Sequence, residues 1–136
     1  MSSLDFLEKY LNTPSPTGFE HTGQKVWLDF ISPYVDSTFV DVYGTAVGVI
    51  NPDATYKVVI EAHADEISWF VNYIDESGFI YVIRNGGSDH QIAPSMRVNL
   101  WTKQGPVSGI FGRPAIHVRR DHEDPKIELH NLSIDV

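Results

Sequence analysis

Apolar residues in this 136-residue chain keep two different rhythms, and the change between them falls near residue 67. Before it, Leu4, Leu7 and Leu11 recur at helical spacing, and Phe19, Gly23, Val26, Trp27, Phe30 and Ile31 do the same. Pro14 and Pro16 interrupt the two runs, because proline opposes helix at itself and at the residue before it. Thr17-Gly18-Phe19-Glu20 matches a capping box at the start of the second helix, which Pro33 closes. Beyond Tyr34 the pattern turns β-rich. Residues 37–43 and 46–50 predict a hairpin about Gly44-Thr45, and residues 56–61 predict a third strand. Its apolar stretch, Val58-Val59-Ile60, suits a strand buried on both faces of an α/β sheet. After residue 67 the strand-like runs crowd together without helices: 67–74, 79–84, 97–102 and 107–111, with turns at Asp75-Glu76-Ser77-Gly78 and Gln104-Gly105. Asn72, Asn99 and Ser108 within them predict antiparallel sheet with one wet side. Leu132-Ser133-Ile134-Asp135-Val136 reads as a strand stopped mid-element, so a longer parent is expected.

Composition narrows the function classes. Ten Lys and Arg face eighteen Asp and Glu, a formal net charge of −8, which on average repels a phosphate backbone; no nucleic-acid partner is expected. The apolar runs fall far short of the roughly 20 residues that span a bilayer, so no membrane partner is expected either. Asp5 and Glu8 stand where an export signal would be basic and then apolar. With no cysteine, the chain suits a reducing, cytoplasmic setting, and any metal must be held by His, Asp, Glu, carbonyls or water.

One stretch concentrates such groups. Val58-Val59-Ile60-Glu61-Ala62-His63-Ala64-Asp65-Glu66 runs an apolar strand into a histidine and two acids, and in open α/β sheets ligands gather beyond strand carboxyl ends. His63 is placed to act as a metal ligand or general base. Asp65, two residues on, shares its side if the chain stays extended, and can accept the second imidazole N–H. Against this stands the bland alternative that a lone His-x-Asp triplet is a turn. Glu61 reads as a strand-end carboxylate facing solvent; Glu66 reads either as a support for the site or as a structural acceptor. Surface or turn positions are expected for His21, His90, His122 and His130. Asn85-Gly86-Gly87-Ser88 is rejected as a phosphate cradle, since no Lys-Ser/Thr and no helix pattern follow it.

Six collinear segments resemble the dinuclear metallo-aminopeptidase family of glutamyl aminopeptidases, tetrahedral aminopeptidases and endoglucanase-M-like proteins. They are Pro14-Ser15-Pro16-Thr17-Gly18-Phe19-Glu20, Asp41-Val42-Tyr43-Gly44-Thr45, Ala62-His63-Ala64-Asp65-Glu66-Ile67, Gly86-Gly87-Ser88-Asp89, Arg97-Val98 and Gly112-Arg113-Pro114-Ala115-Ile116-His117. The resemblance implies an α/β fold class. Residues 1–67 would form the amino-terminal part of a zinc-peptidase-like α/β catalytic sandwich, and residues 68–136 an incomplete, inserted PDZ-like antiparallel β-barrel that mediates dimerisation. It carries His63 over as a metal ligand and Asp65 as the catalytic-site carboxylate that orients it. His117 falls in a Pro-x-x-His element of the insert and is expected to pack the barrel's end. Ala64, Ser68-Trp69 and Ser95-Met96 depart from the family pattern without removing a ligand, but the family's remaining ligands and its glutamate base lie downstream of this segment.

What the resemblance implies is a metallo-aminopeptidase that releases amino-terminal residues from short peptides through water activated by two divalent ions, zinc or cobalt. It also implies a homo-oligomer, a dimer or a dodecamer-of-dimers type of assembly. The segment alone, with one metal-binding histidine, is expected to be inactive. The competing reading is a non-catalytic β-barrel assembly module. A sugar hydrolase is unsupported, for no carboxylate pair flanking a groove is evident.

Overall fold

The computed structural model of the chain describes residues 2–118 and 126–136. It divides into two compact units, Met1–Ile67 and Ser68–Val136.

The first unit opens with α1, Ser3–Leu11, and α2, His21–Ile31, the latter running into a 3-10 turn at Ser32–Tyr34 where Pro33 ends the helical ladder. Both helices fall where the apolar spacing predicts them. The contacts of α1 differ from its leucine stripe, however. Leu4 and Leu11 are exposed, and it is Phe6 that stacks on Phe30 of α2, ring centroids 4.0 Å apart, with Tyr10 5.5 Å from Phe6. Flat rings gain more area per contact than a leucine edge, so they take the inter-helix seam. The capping box also moves. Ser2 and Asp5 form one at α1, Ser2 Oγ accepting the Asp5 N–H and Asp5 Oδ2 the Ser2 N–H. At α2 the N-cap is Glu20 without a side-chain cap, and Thr17 turns its hydroxyl elsewhere.

Next come β1, Ser37–Val40, and β2, Ala46–Val49, paired antiparallel as the hairpin pattern predicts. Their turn is organised by Asp41, whose Oδ1 accepts the N–H groups of Tyr43 and Thr45 at 2.8 and 2.9 Å. Gly44 takes φ +89°, a left-handed value costly for other residues, and its carbonyl accepts Gln24 Nε2 from α2.

The expected third strand is absent. Residues 56–61 form no strand, and Val58, Val59 and Ile60 lie exposed, Ile60 at 95%. Apolar side chains favour burial, but a strand exists only through a partner that takes its N–H and C=O groups. Among the described residues nothing supplies one for this stretch. In this unit the described buried residues are few: Val26, Gly23 and Ser15.

The second unit is a five-stranded antiparallel sheet: β3 Ser68–Ile74, β4 Ile80–Asn85, β5 Arg97–Thr102, β6 Gly105–Gly112 and β7 Ser133–Asp135, in the order β3-β4-β7-β6-β5. The final run is thus a central strand, between β4 and β6. The strand runs predicted after residue 67 are all present within a residue or two. Ile80, Val82, Ala93, Phe111, Leu132 and Ile134 form its core, with Trp69, Val98 and Leu100 packed against it. Asn72, Asn99 and Ser108 are exposed, the wet side expected of them.

The loop 85–88 is a brace. Asn85 Nδ2 donates to Ser68 Oγ at 2.8 Å and Ser88 Oγ to the Ser68 carbonyl at 2.6 Å, both side chains being buried. The Asn85 and Ser88 side chains are therefore committed inward, to the start of β3 and to the loop itself. Among the described residues no helix is long and apolar enough to cross a membrane.

Candidate functional site

His63 Nδ1 lies 2.9 Å from Asp65 Oδ1 and 3.1 Å from the Asp65 carbonyl oxygen. Both oxygens accept and neither donates, so in neutral imidazole Nδ1 carries the hydrogen and Nε2 keeps its lone pair. That nitrogen belongs to a side chain 85% exposed. The chain bends its ring back on its own backbone two residues further on, the contact that the His-x-Asp spacing suggests. The setting differs from the one expected: the residues before His63 form no strand and pair with no other strand among the described residues, and Val58, Val59 and Ile60 are exposed, not buried.

Asp65 is gripped from the other side by the loop between the helices. Thr17 Oγ1 donates to Asp65 Oδ2 at 2.7 Å. The Thr17 hydroxyl and then the His63 ring hold the Asp65 carboxyl below its ordinary value, so it is ionised at neutral pH. The loop itself is tied to the residue after Asp65. Glu66 Oε1 accepts the Ser15 N–H at 2.9 Å, the Glu66 N–H donates to the Ser15 carbonyl at 2.9 Å, and the Thr17 N–H donates to the Glu66 carbonyl at 3.2 Å. Pro16 and Glu66 make an isolated parallel bridge. Glu66 is thus a structural acceptor at this junction. Sequence reasoning missed Thr17 as part of the site, because Thr17 and Glu20 also fit a helix cap. No local pattern announces a partner 48 positions away.

The donor set fits one metal ligand: an exposed imidazole with its tautomer set by a carboxylate, the arrangement that orients ligating histidines in metal sites. It does not make a cage. Among the described residues no three His, Cys, Asp or Glu side chains gather to hold an ion.

The other histidines stand apart from this arrangement. His21 is the exposed first residue of α2, and His117 is exposed in the 3-10 turn Ile116–Val118, so the expected packing role for it is not seen. His130 is exposed in the 3-10 turn Leu129–Asn131, a surface turn position as expected. His90 sits in a turn as expected, but it is no surface histidine: both ring nitrogens are shut from solvent without a hydrogen-bond partner among the described residues. His122 lies outside the described residues.

A family model described as M42 glutamyl aminopeptidase matches residues 44–136. The lysyl aminopeptidase of Pyrococcus furiosus is 27% identical over 139 aligned positions, taking in 100% of this chain and 40% of the relative. A solved TET aminopeptidase from a marine sediment archaeon, Thaumarchaeota archaeon, superposes with a TM-score of 0.92 at 24% identity, covering 98% of this chain and 37% of the other. The TET1 peptidase of Pyrococcus horikoshii, described as assembling into a tetrahedron or a large octahedral shell, gives 0.82 at 24% identity, covering 98% and 40%. At that identity the two structures speak for the fold. The chain spans about two-fifths of the length of the curated relatives it matches.

Proposed function

The chain belongs to the M42 glutamyl aminopeptidase family, and from that premise we propose that it is the amino-terminal part of a metal-dependent aminopeptidase acting on short peptides. The observation that carries the reading is the 2.9 Å contact between His63 Nδ1 and Asp65 Oδ1 on an otherwise exposed ring. His63 would bind one of two divalent ions, zinc or cobalt, through Nε2. Asp65 holds the proton on Nδ1, aims the ring and raises the basicity of the free nitrogen. When bound, such ions polarise the scissile carbonyl and lower the pKa of water. One imidazole cannot by itself provide the three or so protein ligands of a catalytic centre, so the 136-residue chain alone is expected to hydrolyse nothing.

In this reading residues 1–67 contribute to the catalytic α/β domain. Residues 68–136 belong to an inserted PDZ-like barrel that mediates dimerisation, and the whole protein is a cytoplasmic homo-oligomer. The antiparallel sheet of the second unit, with a core of its own, supports that division. The shells named for the Pyrococcus horikoshii peptidase support the assembly.

The test is turnover of an aminoacyl chromogenic substrate by the complete protein loaded with zinc or cobalt, beside a folded His63→Ala variant. Turnover lost in the variant supports the proposal; undiminished turnover overturns it. A complete protein that assembles but cleaves no such substrate with zinc, cobalt or manganese would leave the competing reading, an assembly module.

A further inference from the structure

A free aspartate rotates about its side-chain bonds and offers either oxygen to either partner. Asp65 has no such freedom. Oδ2 takes the Thr17 hydroxyl at 2.7 Å and Oδ1 faces His63 Nδ1 at 2.9 Å, so each oxygen is assigned to one partner. We propose that Thr17 is a positioning residue: its hydroxyl locks the Asp65 carboxylate in the orientation that aims His63, and so sets how tightly His63 holds a divalent cation. The inference rests on His63 being a metal ligand, as proposed above.

Three features make Thr17 a fixed donor. Its β-branched side chain is stiff about χ1. Its own N–H is anchored to the Glu66 carbonyl, and Ser15, two residues earlier, is anchored to Glu66 by two further bonds. Pro14 and Pro16 restrict the backbone around them. The hydroxyl also lies 3.3 Å from the Glu66 carbonyl oxygen, but the shorter contact to an ionised carboxylate is the stronger. Nor is the hydroxyl engaged in capping α2, whose N-cap Glu20 has no side-chain cap. Removing a group that orients a ligating histidine typically lowers affinity or activity about 10- to 100-fold, and Thr17 acts on the metal one step further out, through such a group.

The experiment uses the complete protein as wild type, Thr17→Val, Thr17→Ser and His63→Ala. Zinc affinity is read by competition with a chelator, and the His63 tautomer in the metal-free protein by ¹⁵N NMR. Thr17→Val keeps the shape and deletes the hydroxyl. It is expected to weaken zinc binding severalfold, up to about 10-fold, and to reduce the Nδ1–H population of His63, with Thr17→Ser restoring both. A change in loop packing alone would not move the tautomer back with serine. Wild-type affinity and tautomer in Thr17→Val, or failure of Thr17→Ser to rescue, overturns the role given to Thr17 while His63→Ala still loses zinc. If His63→Ala binds zinc as wild type does, the metal reading itself falls.

Discussion

Ser15 and Glu66, 51 positions apart, are joined by two hydrogen bonds running in opposite directions: Ser15 N–H to Glu66 Oε1 and Glu66 N–H to the Ser15 carbonyl, each 2.9 Å. Only one of the two depends on a side chain. Glu66→Ala therefore leaves the backbone pair but strands the N–H of buried Ser15. We expect a loss of about 1–3 kcal/mol and faster amide exchange at Ser15, measured by urea unfolding and hydrogen exchange. Unchanged exchange at Ser15 would contradict the brace.

Ser15 Oγ is buried without a hydrogen-bond partner among the described residues, and a Cβ on Gly23 of α2 would meet it at 2.8 Å. Ser15→Ala is therefore expected to be neutral or stabilising, since an unsatisfied hydroxyl is removed. Gly23→Ala alone should destabilise by about 1 kcal/mol through the clash. In the Ser15→Ala background that cost should shrink or reverse, because alanine is intrinsically the better helix former. A double-mutant cycle by thermal unfolding checks the coupling; simple additivity would argue against it.

Asp41 gives the acid limb of stability a local origin. Backbone donors in its turn, Thr45 first, hold its carboxyl below the ordinary value of 3.8. A depressed folded-state pKa contributes stability that is present above the unfolded value and is lost as pH falls through the folded one. The hairpin should therefore loosen as pH drops below about 4, and Asp41→Asn should blunt that dependence. Carboxyl ¹³C titration and acid unfolding of the two proteins provide the measurement.

Phe111 anchors the sheet unit. It is 1% exposed and meets Trp69 edge-on at 4.9 Å. Phe111→Ala should cost about 3–5 kcal/mol, with Phe111→Leu far milder. Urea midpoints would test the ranking.

The sequence by itself determined whatever is encoded by residues within a few positions of one another. The helices at Ser3–Leu11 and His21–Ile31, the hairpin closed by Asp41 and Gly44, the alternating strands after residue 67, and the two-residue reach from His63 to Asp65 all belong here. Periodicity, turn chemistry and short side-chain spans need no knowledge of the rest of the chain. Tertiary structure decided every pairing across distance. It took the Thr17 hydroxyl from a helix cap to Asp65, buried the ring nitrogens of His90, and seated Ser133–Asp135 in the middle of a sheet. Among the described residues it also left Val58-Val59-Ile60 without a pairing strand, because apolar character says that a segment prefers burial but not which backbone will accept its hydrogen bonds.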